Sequence, residues 1–462
     1  MVDKFRVMIS VIGMIALASC GGGPGAEVSG VTCYPKTARN WIASVADQTP
    51  TTNDPGGPYR IYLDGSGSMA GYIRGATGSE RPLSDLVGML PDLATIDRDD
   101  VGIMRFDEEF IDLTPTEASA TMGVASGYGN RDSHIDQVLD RIARDDPQSL
   151  SVVLSDLWLV NGNVVTTGPV ALSPKLNQII ASGRSIAIYG FEVPYSGRVS
   201  DLPSGRRDQQ ASRRHLFLLV AGPVARLQAF RGAMETASSP SIAGYMSSGA
   251  AQYTLFTTDP LQSALGGTQG FAPQRGTPLA SGQFLPARTG VRIPQFTLDK
   301  SSALLADGAI AGARWEGVAD TAMRRGAVWQ GPASGSTMVY REVGDSCAAN
   351  GGDWAEDGTF RGGWSSDGGY AIDPAELATL NSGRYLLVGS LRRNDLTVPN
   401  AASQWMRDWS FSANTEAEAI TRPVMPTLNL DQFARLLEIE LQRAIRARPV
   451  SMGGFAVAVE VK

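Results

Sequence analysis

The chain has 462 residues, more than the roughly 100–200 of one domain, and is 43% apolar and 19% charged, so it can form two or three cored domains and is no disordered tail. A net charge of −7 leaves no broad cationic surface to release counterions from a phosphate backbone, which argues against nucleic acid as a partner. The chain has two histidines, His134 and His215, and no G-x-S-x-G turn. Zincin-type His pairs are therefore absent, and a Ser-His-Asp triad would have to use one of these two.

Met1–Arg6 is a short basic segment, Val7–Leu17 is an apolar run too short to span a bilayer, and Leu17-Ala18-Ser19-Cys20 follows. These four residues resemble the lipobox of bacterial lipoproteins. The resemblance implies a signal peptide over 1–19, acylation of Cys20 and a membrane anchor made of lipid. Gly21, where inner-membrane-retained lipoproteins carry Asp, points to the periplasmic face of the outer membrane of the cell envelope. No other run approaches 18 apolar residues. Cys33 and Cys347 remain, in a compartment that permits disulfides. Either they pair, closing a very long loop worth roughly 4–5 kcal/mol in the chain-entropy model, or they stay as thiols. Residues 20–57, rich in Gly, Pro, Ser and Thr with one helical turn around Thr37–Val45, read as a tether.

The body begins with a strand at Tyr59–Leu63, followed by the oxygen-rich loop Asp64-Gly65-Ser66-Gly67-Ser68-Met69 and a helix over Ser84–Leu93. Strands at Val101–Phe106 and Phe110–Leu113 form a hairpin, a long Gly/Ser/Thr loop follows, and a helix spans His134–Ala143. Next come a strand at Leu150–Leu154 ending in Ser155-Asp156, a helix at Pro174–Ala181, strands at Ser185–Gly190 and His215–Val220, and a helix at Val224–Thr236. This alternation predicts an α/β fold: a doubly wound, Rossmann-like, mostly parallel sheet over 58–258, with its ligand crevice at the carboxyl ends of the strands. Phe191–Arg214, with Arg206, Arg207, Arg213 and Arg214, breaks the alternation and reads as a solvated polar loop able to meet an anionic partner.

Over Pro58–Gln252 the chain resembles the von Willebrand factor A domain family. The family's D-x-S-x-S motif follows its first strand, where this chain has Asp64, Ser66 and Ser68. Ser133 stands where the family places a Thr before a helix, and Asp156 where it ends the fourth strand in a T-D-G-like turn. The resemblance implies a metal-ion-dependent adhesion site whose open metal position takes an Asp or Glu from a partner protein. Ser for Thr keeps the hydroxyl and loses the methyl that restricts its rotamer.

Carboxylate and hydroxyl oxygens are hard ligands, suited to Mg²⁺, Mn²⁺ or Ca²⁺ rather than zinc or copper. Alternation in D-x-S-x-S turns Asp64, Ser66 and Ser68 to one side, while Gly65 and Gly67 allow a tight backbone. Each residue also has a plainer role. Ser133 could cap the following helix with Asp136, and Asp64 and Asp156 could each form a turn. His134 reads as a surface or satisfied polar residue.

After Leu261 the character changes. Strands at Gly290–Leu298, Ser336–Arg341 and Arg384–Leu391, with a Gly/Asp-rich loop over Gly344–Gly369, predict a β-rich, sandwich-like module over 259–425. Trp405 and Trp409 read as core aromatics before an exposed platform. Leu430, Phe433, Leu437, Leu441 and Ile445 form one helical stripe ended by Pro449, and Phe455–Val461 is a last strand, so 426–462 packs on the body. Three functions follow: a tethered, metal-dependent protein-binding module that is no enzyme, a metal-free structural envelope lipoprotein, and a metal-dependent hydrolase, for which no general base stands out.

Overall fold

The first half of the described chain builds one sheet with helices on both faces. Its elements are β1 (Tyr59–Asp64), α1 (Ala70–Gly75), α2 (Pro82–Leu93), β2 (Val101–Phe106), β3 (Phe110–Leu113), α3 (Pro115–Met122), α4 (Ile135–Arg144), β4 (Leu150–Ser155), α5 (Ser173–Ala181), β5 (Ser185–Val199), β6 (Gln209–Gly222), α6 (Val224–Glu235), α7 (Pro240–Ser248) and β7 (Ala251–Phe256). The computed structural model describes residues 56–462 except 79, 94–99, 130–131, 159–167, 200–201, 206–208, 237–238, 260–270, 274–276, 282–293, 303–304, 306–312, 316–325, 329–332, 344–353, 361–362 and 365–368. The expected signal peptide, the expected tether as far as residue 55 and the lipidation and disulfide candidates Cys20, Cys33 and Cys347 lie outside the described residues.

The sheet order is β3-β2-β1-β4-β6-β5-β7. Its centre is parallel, with Leu63 beside Arg105 on one side and Leu154 on the other. The remaining neighbours are antiparallel, so the sheet is mixed rather than mostly parallel. The cause is the segment expected as a solvated loop. Over most of its length it extends β5 and β6 into one long hairpin, paired from Ser185–Gly222 to Val199–Gln209, and among the described residues no helix lies between them. A hairpin return must be antiparallel, and this one reverses the direction of β6 beside β4.

Strict alternation sorts the side chains of these strands between two cores. Leu216, Leu218 and Val220 join Ile61, Leu154 and Tyr189 under α2, α3, α6 and α7, while Phe217, Leu219 and Ala221 join Tyr62, Val153 and Ile188 under α4 and α5. The long loop expected after Leu113 contains α3. Thr114 accepts from the Glu117 amide at 3.2 Å and its own amide donates to the Glu117 carboxylate at 2.8 Å, a capping box with Pro115 at the first turn.

The second half comprises β8 (Phe271–Pro273), β9 (Leu279–Ser281), β10 (Gln295–Leu298), β11 (Ala313–Trp315), β12 (Ala333–Glu342), β13 (Trp354–Phe360), β14 (Tyr370–Ala371), α8 (Pro374–Ala378), β15 (Gly383–Arg393), α9 (Gln404–Asp408), β16 (Ser410–Phe411), α10 (Glu416–Ala419), β17 (Thr427–Leu428), α11 (Leu430–Ala447) and β18 (Val450–Val461). A six-stranded sheet runs β13-β12-β15-β18-β10-β9, and β14-β11-β8 forms a three-stranded one. Val339, Tyr385, Leu387, Phe455, Val457 and Val459 of the larger sheet share a core with Ala313 and Tyr370 of the smaller. Within the Gly/Asp-rich stretch expected as a loop, Trp354–Phe360 is the edge strand β13, whose Glu356 and Asp357 are exposed, as suits an edge that must not pair further.

The terminal segment joins the halves. All five residues of the expected helical stripe are buried, each worth about 1.5–3 kcal/mol of transfer free energy, and they pack with α4 and α5 on the first sheet. The strand that follows, β18, lies inside the second sheet, between β15 and β10. Two carboxylates on α11 are fully buried and hydrogen-bonded, although Glu438 Oε2 has no hydrogen-bond partner among the described residues. Glu438 accepts from the Asn400 amide at 3.1 Å, from Arg407 at 3.2 Å and from Ser403, and Glu440 accepts from Asn177 at 3.0 Å and Arg443 at 2.6 Å. Trp405 and Trp409 are half-buried and lie over Gly190 of β5, where a Cβ would stand 2.6 Å from the Trp405 ring. Trp409 stacks on His215 with ring centres 4.0 Å apart.

Candidate functional site

The carboxyl ends of β1 and β4 are adjacent, because Leu63 pairs with Leu154 and the next residues, Asp64 and Ser155, end the two strands side by side. Asp64 is buried, and oxygens and an amide from three chain segments converge on its carboxylate. The Ser66 amide donates to Oδ1 at 2.9 Å, the Ser133 hydroxyl to Oδ2 at 2.9 Å and the Ser155 hydroxyl to Oδ2 at 2.6 Å. The Ser66 and Ser68 hydroxyls are 3.2 Å apart. The loop carrying Ser133 is held against the D-x-S-x-S loop by the Gly129 amide, which donates to the Gly65 carbonyl at 3.3 Å.

Four of the expected residues, Asp64, Ser66, Ser68 and Ser133, are thus linked by hydrogen bonds. Ser133 is not a helix cap. The residue at the N-cap of α4 is His134, with no side-chain capping bond, and the Ser133 hydroxyl is spent on Asp64. Ser155, the hydroxyl directly before the strand-ending Asp156, joins them although the D-x-S-x-S pattern does not include it.

The fifth residue, Asp156, faces Asp64 closely enough for its charge to act on it. Burial first, and the Asp156 charge second, push the Asp64 carboxyl up to about 6 against the hydrogen bonds from Ser155 and Ser66. The turn after Asp156 is tight. Leu157 takes a left-handed backbone at φ 48°, costing on the order of 1–2 kcal/mol for a residue with a Cβ, and its buried side chain offsets that cost. The turn brings the Leu157 amide to the Ser155 hydroxyl at 3.0 Å and the Trp158 amide to Asp156 Oδ1 at 3.1 Å.

Asp156 Oδ2 takes no hydrogen bond among the described residues, yet it forms an ion pair with Arg214 Nη1 at 3.3 Å. Both side chains are about 2% exposed or less, so no solvent screens the pair. The Arg214 guanidinium lies 4.7 Å from the Trp158 ring centre, 4.9 Å from Tyr195 and 5.9 Å from Tyr72, a cage of aromatic faces suited to a cation. Burial works against its charge, but the Tyr72, Asp156 and Tyr195 oxygens outweigh it and hold Arg214 charged, above the ordinary arginine value. The sequence pattern places Arg214 in a solvated loop. Alternation along β6 explains the difference, since Arg214 continues the row Leu216, Leu218, Val220 toward the first core.

Tyr195 comes from the extended arm of β5 and packs on α1, the helix that directly follows the D-x-S-x-S loop. Gly75 allows this approach, because a Cβ there would stand 2.5 Å from the Tyr195 Cα. The Tyr72 hydroxyl of α1 donates to the His215 carbonyl at 2.6 Å, a second tie between the same elements. His215 itself turns to the opposite face, and burial, then the Arg214 charge, lower its pKa to about 3, so it is neutral.

Among the described residues no group of three or more His, Cys, Asp and Glu side chains could hold a metal ion. A cation here would rest on two carboxylates, Asp64 and Asp156, and the hydroxyls of Ser66, Ser68, Ser133 and Ser155. That all-oxygen donor set fits a hard divalent ion, with a buried carboxylate oxygen lacking a hydrogen bond among its members. The chain matches no protein-family model, no curated protein and no solved structure.

Proposed function

We propose that the chain is a membrane-tethered lipoprotein whose α/β half is a von Willebrand factor A-type domain and binds a protein partner through a divalent metal. The reading extends to a sandwich arrangement of the β-rich half and to lipid anchoring at Cys20 on the periplasmic side of the cell envelope. The observation that carries it is the convergence of the Ser66, Ser133 and Ser155 hydrogen bonds on Asp64, which gathers oxygen donors from three separate segments at one strand end. Asp64, Ser66, Ser68, Ser133 and Asp156 would hold Mg²⁺ or Mn²⁺, and Ca²⁺ is compatible with the same donors. Bound there, the ion supplies a positive centre for an Asp or Glu side chain of the partner. Mostly neutral hydroxyls leave that charge only partly compensated, which favours an acidic ligand over water. The function is binding and not turnover.

Thermal unfolding of the chain from Gly21 onward, with Mg²⁺, Mn²⁺ or chelator, tests the metal. At ten times the dissociation constant the ion adds about 1.4 kcal/mol, a rise of roughly 3–5 °C in Tm for a domain of this size. Asp64→Ala should abolish the rise. A wild-type Tm indifferent to millimolar metal would favour the second reading, a metal-free structural envelope lipoprotein, which the Arg214–Asp156 ion pair supports by already neutralising one carboxylate.

A further inference from the structure

The candidate site contains a cation of its own. Arg214 sits on Asp156 at 3.3 Å, buried, and enclosed by Tyr72, Trp158 and Tyr195. Its position is fixed by the β5–β6 hairpin, in which Arg214 pairs with Val193 and its neighbour Arg213 with Pro194. The Met425 amide, beside β17, donates to the Arg213 carbonyl at 3.0 Å, so the chain's second half also fixes this strand end. The guanidinium is therefore a permanent member of the site.

We infer that Arg214 sets the metal's charge balance by neutralising the Asp156 carboxylate, so that the ion binds weakly on its own and is tightened by a carboxylate from the partner. This inference rests on the metal reading above and assigns that site its regulation. The arithmetic of charge is direct. Asp64 contributes one negative charge and the Asp156–Arg214 pair none, so a divalent ion leaves the buried site at +1 until an external anion arrives. Burying an uncompensated charge is costly, whereas adding the partner's carboxylate brings the sum to zero. Without Arg214 the two carboxylates alone would balance the ion, and it would bind tightly without the partner. The aromatic cage holds the guanidinium without adding a negative charge that a metal could use.

The test is the Mn²⁺ and Mg²⁺ dependence of thermal unfolding of the full chain in detergent, with no partner present. Four forms are compared: wild type, Arg214→Gln, Arg214→Gln with Asp156→Asn, and Asp64→Asn. The metal concentration giving half the Tm rise should fall at least tenfold in Arg214→Gln. In the double variant, which removes both charges together, it should return to within threefold of wild type, and Asp64→Asn should remove the response. An Arg214→Gln response equal to wild type, with Asp64→Asn still abolishing it, overturns the role of Arg214 and leaves the metal site standing. No response in any form overturns the metal reading and this inference together. If Arg214→Gln fails to fold at every metal concentration, the charge-neutral double variant decides. A wild-type-like response supports the inference, and a loss like that of Asp64→Asn overturns it, because the ion would then depend on Asp156 even when no net charge is removed.

Discussion

The two halves of the seven-stranded sheet contribute opposite charges to one place. The parallel half, β2-β1-β4, ends in Asp64, Ser155 and Asp156, and the loop before α4 adds Ser133, so it supplies carboxylates and hydroxyls. The antiparallel half, built on the β5–β6 hairpin, supplies Arg214 and the Tyr195 ring. The difference follows from connectivity. Parallel neighbours need crossovers, which leave their carboxyl-end loops free to carry polar groups at one edge. A hairpin needs none, so its strands run on past the sheet and deliver side chains to the same edge from the side. The lesson is that the oxygen cluster and its counter-charge belong to different supersecondary units and meet only in the folded molecule.

The largest way to break this arrangement is Arg214→Ala, which strands Asp156 as a buried, unpaired carboxylate. The loss should be about 3–5 kcal/mol in urea unfolding, and adding Asp156→Asn should recover part of it. Gly75→Ala strikes the joint between the halves, since the new methyl group meets the Tyr195 backbone. About 1–3 kcal/mol should be lost, with the Tyr195 amide exchanging faster by hydrogen exchange.

A pH series sharpens the comparison on the hairpin side. His215 is held near 3 in the folded chain against about 6.5 when unfolded, so the unfolded state binds the extra proton between these values. Stability due to this group is therefore present above about 6.5 and falls as pH drops toward about 3, at up to about 1.4 kcal/mol per pH unit. His215→Phe, which keeps a ring against Trp409, should flatten that part of the stability–pH curve in calorimetry. The smallest effect is on the parallel side. Thr114→Ala removes the α3 capping box and should cost about 1 kcal/mol, seen as a lower denaturant midpoint with an unchanged slope.

Local patterns carried much of this far. Val101–Phe106 and Phe110–Leu113 were legible to the residue, because their lengths and alternation are set by neighbours in sequence. The stripe from Leu430 to Ile445 was legible for the same reason. The helix at Pro115–Met122 was legible in principle through Thr114, Pro115 and Glu117, a signal masked by the weak apolar face of the segment. The long arms of β5 and β6 were not, because Gly, Pro, Ser and Arg weaken their strand pattern, and pairing across the hairpin, such as Val193 with Arg214, holds them.

By itself, then, the sequence determined the alternation of strands and helices, the D-x-S-x-S loop at the end of the first strand and the oxygen chemistry of the residues around it. Only the tertiary structure decided that Ser155 joins Ser133 on Asp64, and that Asp156 is shared with Arg214, 58 positions later in the chain. The physical reason is that propensity and periodicity act over a few residues, whereas a buried charge chooses its partner by three-dimensional proximity. Arg214 is tolerable in an interior because the fold places a carboxylate and three aromatic faces around it.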